Sequence, residues 1–246
     1  MLKSAVSRLT AFASLTENDL EDLARLASGR RSLKRGEFVC REGEPSTGLF
    51  LLLQGWVASS VTFADGARQL LNVHLAGDLL GTPDLALRRS AQSMVAITPV
   101  ELGVISQSQV GRLFEDNPRL AAILFLIAQE ERVTLMDRLA AVGATEALHS
   151  LASLLVHIHG RVARSDPDTG NSFMMPLSQD DLSALIGITP VHLNRTLQHL
   201  RHHGLVEWTR HRVTLLDHAG LVNLSGLPSR ELDRNPAWLP RSREDR

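Results

Sequence analysis

Between Pro190 and Arg212 the chain sets Arg195, Arg201, Arg210 and Arg212 against one acid, Glu207. Five of its ten histidines, His192, His199, His202, His203 and His211, fall in the same stretch. Guanidinium groups and imidazoles donate hydrogen bonds and, when charged, attract phosphate. The whole chain carries a formal charge of −1. A neutral chain with one basic end points to a DNA reader confined to that end, not to a general polyanion binder. The plainer reading of the same residues is a structural helical hairpin whose arginines face water.

The flanking sequence predicts how these side chains are held. Ser178 is a good N-cap with Asp181 at the third helical position. Leu182, Leu185 and Ile186 share one apolar face, and Gly187 suits a helix end. Thr189 caps a second helix, with Pro190 at its first position where no amide donor is needed. Leu193, Leu197 and Leu200 line its inner face, and Gly204 stops it. A short helix, a Gly-containing turn and a longer polar helix describe a helix-turn-helix, whose second helix enters the major groove. Segments 205–208 and 212–216 then form two strands around 209–211, which is a wing.

Composition narrows the alternatives. With 246 residues and 43% hydrophobic content the chain has material for one large domain or two small ones. No apolar run approaches the roughly 20 residues that span a bilayer. Residues 1–13 lack the apolar block of a signal peptide. The single cysteine, Cys40, excludes internal disulfides and any iron–sulfur cluster held by several cysteines of one chain. A cytoplasmic protein is expected. No Gly-x-Ser-x-Gly, paired-carboxylate or metal-ligand spacing suggests an enzyme; His157 and His159 do not share a helix face.

Upstream, residues 16–27 predict an amphipathic helix capped by Thr16. From Arg30 to Val104 glycines punctuate short β-type runs at 38–40, 49–53, 57–63, 70–75 and 94–97. Asp65-Gly66 marks a hairpin turn, and a barrel-like β-roll follows. Ser106 and Gln109 form a capping box for a helix ending near Asp116. Pro118 opens a long helix to about Val142. A seam with steps of four and three runs through Ala121, Phe125, Ala128, Arg132, Leu135, Leu139 and Val142, the spacing of a coiled coil. This helix is read as a dimer helix, with an ordinary core helix as the plainer alternative. Gly143 reads as a hinge, and a further helix covers about 145–162. Residues 228–246, rich in Arg, Glu and Pro, read as a disordered tail.

The order β-roll, long helix, hinge and winged helix-turn-helix resembles the Crp/Fnr family of bacterial transcription factors over about residues 14–225. Gly43-Glu44, Gly55, Gly77-Asp78 and Gly81 match glycine positions of that family's roll, and residues 177–206 match its DNA-binding motif without a gap. The resemblance implies an α+β fold in three parts: a sensor roll over 1–117, a dimerisation helix over 118–143 and a winged DNA-binding domain over 144–227. It also implies base contacts from Pro190, Val191 and Arg195, the last through its bidentate fork to guanine. Ser178, Gln179, Thr189, His192, Asn194, Gln198 and Arg201 complete the expected DNA-facing set. Double-stranded DNA at a near-palindromic site and a second copy of the chain are the implied partners, with RNA polymerase a further candidate and no membrane. The dimer interface would use Phe125, Ala128, Arg132, Leu135, Leu139 and Val142.

The sensing half departs from the family. Cyclic-nucleotide-binding members carry Gly-Glu early and Arg-Ser-Ala late in a phosphate cassette. Here Gly81 precedes Thr82, and Arg89-Ser90-Ala91 follows after a shorter loop. The long-helix region that would meet the adenine amine is Thr134-Leu135-Met136, mostly apolar. The effector set carried over is Gly81, Thr82, Arg88, Arg89, Ser90, Thr134 and Leu135. These residues argue against cyclic AMP. Arg88 and Arg89 suit an anionic effector or a solvated loop. His74 and Cys40 are the only offered haem ligands, and the plainer reading makes His74 a polar surface residue and Cys40 a packed one. The effector is therefore left unassigned. The alternative function is a nucleotide- or haem-sensing module whose main partner is not DNA.

Overall fold

A computed structural model describes residues 2–144, 147–226 and 230–241, without the side chains of 140–144 and 167. The chain divides into two compact units, residues 1–131 with 231–246, and residues 132–230.

The first unit opens with α1 (Lys3–Thr10) and α2 (Glu17–Leu26). Thr16 and Asp19 cap α2 reciprocally. Eight strands follow: β1 (Gly29–Leu33), β2 (Phe38–Cys40), β3 (Gly48–Gln54), β4 (Trp56–Thr62), β5 (Arg68–Leu75), β6 (Leu79–Leu80), β7 (Ser93–Ala96) and β8 (Val100–Ser106). They form two four-stranded sheets, ordered β1-β8-β3-β6 and β2-β7-β4-β5. All the neighbouring strands pair antiparallel. Successive side chains of a strand face opposite ways, so β3 serves two cores. Phe50 and Leu52 join Val57, Met94 and Leu102 in the cluster of the roll. Leu49, Leu51 and Leu53 face a helical layer that includes Leu9, Leu23 and Leu26. Burial on both faces explains the uninterrupted apolar run of β3.

The Asp65-Gly66 turn joins β4 to β5: Gly66 has φ +85°, and the Asp65 carboxylate accepts from the Ala67 amide at 2.9 Å. Gly103 sits mid-strand in β8 because a Cβ there would lie 2.7 Å from that of Ala27. After β8 come α3 (Gln107–Asp116) and α4 (Pro118–Ala144). Ser106 and Gln109 make the anticipated capping box of α3. The start of α4 is buried through Leu120, Ala121, Ile123, Leu124 and Ile127. Ala121, the first residue of the expected seam, therefore belongs to the core.

The tail corrects the expectation of disorder. Leu239 is 8% exposed within the helical-layer cluster. The Asn235 amide donates to the Phe12 carbonyl at 2.7 Å, and Arg119 donates to the Pro240 carbonyl at 3.1 Å. Residues 228–229 and 242–246 of the same expectation lie outside the described residues.

The second unit takes the end of α4, then α5 (Ala147–Ser165), β9 (Ser172–Met174), α6 (Gln179–Ile186), α7 (Pro190–His202), β10 (Val206–Thr209), β11 (Arg212–Leu215) and α8 (His218–Ser225). Leu151, Leu155 and Ile158 of α5 are buried, as are Leu182, Leu193, Leu197 and Leu200 of α6 and α7. The wing has three strands, ordered β10-β11-β9, rather than two. Phe173 of β9, opposite Val213, closes its inner face.

Candidate nucleic-acid interface

The polar face of α6 and α7 is built by local rules. Ser178 and Asp181 form a reciprocal capping box at the start of α6. Gly187 ends α6 with φ +74°, a left-handed conformation that a side chain would strain. The Ile188 amide then donates to the Ser183 carbonyl at 3.0 Å, which fixes the turn. Thr189 caps α7 by accepting from the His192 amide at 3.3 Å. Leu193, Thr196, Leu197 and Leu200 of α7 are buried, and its other residues are exposed.

All ten residues expected to meet DNA are exposed: Ser178, Gln179, Thr189, Pro190, Val191, His192, Asn194, Arg195, Gln198 and Arg201. Val191 is 66% exposed. Three of the ten are already engaged within the chain beyond the caps. The Asn194 amide donates to Gln179 Oε1 at 3.1 Å and ties α7 to α6. Arg201 donates to the Trp208 carbonyl at 2.6 Å and ties α7 to the wing. Arg195 has no such partner among the described residues. It lines a groove with Thr189, Val191, His192, Thr196 and His199. His199 was not in the expected set; its place one turn beyond Arg195 was the available signal. His199 and His203 stack with ring centroids 4.0 Å apart, and His203 Nδ1 lies 2.9 Å from the His199 carbonyl. A carbonyl only accepts, so Nδ1 carries the proton.

The long helix carries the expected interface residues. Phe125 is 53% exposed, Leu135 42% and Leu139 75%; Arg132 is also exposed and Ala128 half-buried. Val142 lies outside the residues with described side chains. Among the described residues, these apolar groups at heptad spacing on one helix stay exposed.

The expected effector residues fall in both units. Gly81, Thr82, Arg88, Arg89 and Ser90 surround one short turn after β6, whereas Thr134 and Leu135 belong to the second unit. Arg88 and Arg89 are exposed, and Arg89 donates to the Gly43 carbonyl at 2.7 Å. Ser90 is buried, its amide bonded to the Glu44 carbonyl at 2.8 Å. The carboxylate of this turn is Asp84, buried and accepting from the Ala91 amide at 2.9 Å. Sequence reasoning passed over Asp84, whose spacing from Gly81 matched no motif.

His74 corrects an expectation. It is not a surface residue but 3% exposed, on β5. Its Nε2 lies 3.2 Å from Ser59 Oγ, and its Nδ1 lies 3.4 Å from Glu131 of α4. Asn72 donates to the same Glu131 oxygen at 2.9 Å. Both ring nitrogens thus face polar side chains of the roll and of α4. Cys40 is half-buried; burial pushes its thiol pKa up, with Asp84 and Glu44 adding to the rise against hydrogen bonds to Ser90 and Met94. Among the described residues no three His, Cys, Asp or Glu side chains converge as a metal site.

Residues 30–117 match the family model of the cyclic nucleotide-binding domain, and residues 150–224 that of the Crp-like helix-turn-helix domain. The chain belongs to the Crp/Fnr family of transcription regulators. Among its Crp/Fnr relatives, the transcriptional activator protein anr of Pseudomonas aeruginosa is 24% identical over 214 residues, 87% of each chain. The nitrogen fixation regulation protein FixK of Bradyrhizobium diazoefficiens is 26% identical over 224 residues, 90% of this chain and 92% of the relative. The structure of FixK2 from Bradyrhizobium japonicum has the same fold, with a TM-score of 0.73 at 21% identity over 82% of this chain and 98% of that one. Among the described residues no helix is long and apolar enough to cross a membrane.

Proposed function

We propose that this Crp/Fnr regulator works as a cytoplasmic homodimer that reads a near-palindromic DNA site, without cyclic AMP and without enzymatic activity. One observation carries the reading: α6, α7 and their caps expose all ten residues expected to face DNA, while Leu182, Leu193, Leu197 and Leu200 are buried. In this reading 1–117 is the sensor, 118–143 the dimerisation helix, with Gly143 as hinge, and 144–227 the DNA-binding domain. Two copies of α7 enter successive major grooves about 34 Å apart. Pro190, Val191 and Arg195 meet base edges, while Ser178, Gln179, Thr189, His192, Asn194, Gln198 and Arg201 hold phosphate and neighbouring atoms. The exposed stripe of Phe125, Leu135 and Leu139 supports the pairing of two α4 helices. RNA polymerase is the further partner, as the activator relatives suggest.

The sensor does not fit cyclic AMP. Thr82 offers no carboxylate to a ribose hydroxyl, Asp84 is consumed at Ala91, and Arg89 is turned to Gly43. Two buried polar side chains of the roll, Asn72 and His74, face Glu131. The test is selection from a random duplex pool with the purified protein and no added nucleotide. Enrichment of a two-half-site sequence is expected. No enrichment with or without cyclic AMP would refute DNA reading, and enrichment only with cyclic AMP would refute the assignment of the sensor.

A further inference from the structure

The chain passes between its two units twice, within α4 at residues 131 and 132, and again between Arg230 and Glu231. The second crossing is unexpected, because a chain that ends after a wing needs no return to the sensor. The returning segment is anchored at several points. Leu239 and Pro236 are buried, and Leu239 belongs to the same cluster as Leu9, Leu23 and Leu120. Asn235 adopts φ +58°, a left-handed conformation that Asn tolerates better than most residues. That turn lets its amide donate to the Phe12 carbonyl at 2.7 Å while its side-chain oxygen accepts from the Ser14 amide at 3.0 Å. Arg119 donates to the Pro240 carbonyl at 3.1 Å and to the Ser14 carbonyl at 2.9 Å, so one guanidinium holds both strands of this contact. On the other side of the crossing, Arg230 makes two hydrogen bonds to Asp137 of α4, at 2.6 and 3.0 Å.

We propose that residues 230–241 form a strap that restrains the winged helix-turn-helix unit by fastening the end of the chain to the sensor. The restraint has a definite length. From Arg230 to Asn235 a fully extended chain spans at most about 18 Å. The Arg230–Asp137 pair holds the start of the strap to α4. Undocking at Leu239 opens this second connection and leaves the one through α4.

The test compares the full-length wild type with Leu239→Asp and Asn235→Gly. Leu239→Asp places a charge in the apolar cluster. Asn235→Gly keeps the backbone turn and removes only the bond from Ser14. Hydrogen exchange reads the docking, and small-angle scattering reads the restraint; neither needs DNA. Protection at the amides of Ser14, Asn235 and Leu239 is expected in the wild type. Leu239→Asp is expected to lower it at least tenfold and to enlarge the radius of gyration. Asn235→Gly is expected to lower protection at Ser14 and Asn235, and it decides the docking should Leu239→Asp fail to fold. Wild-type amides exchanging at the unprotected rate would overturn the docking. A released strap with an unchanged scattering profile would overturn the restraint.

Discussion

Replacing Arg195 by alanine separates base reading from phosphate holding. Arg195 is exposed and has no hydrogen-bond or ion-pair partner among the described residues. Its removal leaves no group unsatisfied in the free protein, and folding stability is expected to stay within about 0.5 kcal/mol. On DNA, a lost bidentate contact costs about 1–3 kcal/mol per half-site, or about 5- to 150-fold in affinity. That cost falls only where the guanine is present. Arg201 is the control. It is committed to the Trp208 carbonyl at 2.6 Å. Arg201→Ala loosens the wing by about 0.5–1.5 kcal/mol and weakens every sequence alike, with a salt slope lower by about one. Fluorescence anisotropy on the selected site, on a site changed at the guanine and on a random duplex distinguishes the two. Arg195→Ala should bind the selected and changed sites with similar affinity. Equal losses on selected and random DNA would refute base reading by Arg195.

Three further outcomes are expected. Leu139→Asp, at a position 75% exposed in the single chain, should leave the fold intact but bury an unpaired charge between two helices; sedimentation should then show monomers, and a wild type already monomeric at micromolar concentration would sink the dimer reading. Cyclic AMP should give no calorimetric binding at micromolar concentration, and a micromolar Kd coupled to tighter DNA binding would show that other groups recognise it. Cys40 should react slowly with a thiol reagent at pH 7, because burial raises its pKa and thins the reactive thiolate; the rate should climb as pH rises above the ordinary thiol range, whereas a fast plateau at neutral pH would contradict the burial argument.

The reading half of the molecule was legible because its signals are short-range. The cap at Ser178 reaches three residues to Asp181, and the turn at Gly187 is set by its own φ. Thr189 reaches three residues to His192. Each of these can be found in a window of a few residues. Elements missed nearby lacked such signals. β9 is three residues long and gains its meaning only from pairing with β11. β1, Gly-Arg-Arg-Ser-Leu, is an edge strand with two charged side chains, Arg30 exposed and Arg31 half-buried, so neither apolar alternation nor propensity marks it. α1 was hidden for a related reason: its buried residues include Arg8, which a hydrophobic pattern does not count.

The sensing half resisted for a different physical cause, which is sequence separation. Asn72 meets Glu131 across 59 positions, and the Asn235 side chain meets Ser14 across 221. No local periodicity announces such partners. Glu131 read alone is a polar residue beside the seam of a long helix. Placed against Asn72 and His74, it is the partner of two buried polar side chains of the roll. The same holds for the tail, where composition alone argued for disorder. Its polar content is high, yet Leu239, Pro236 and the Asn235 turn dock it because the sensor supplies an apolar cluster and backbone partners. A shortage of apolar side chains prevents a segment from building its own core; it does not prevent the segment from completing one that exists. A mutation at Glu131 or Leu239 can therefore disturb this regulator as deeply as one in α7, although neither residue stands near the DNA-reading face in sequence.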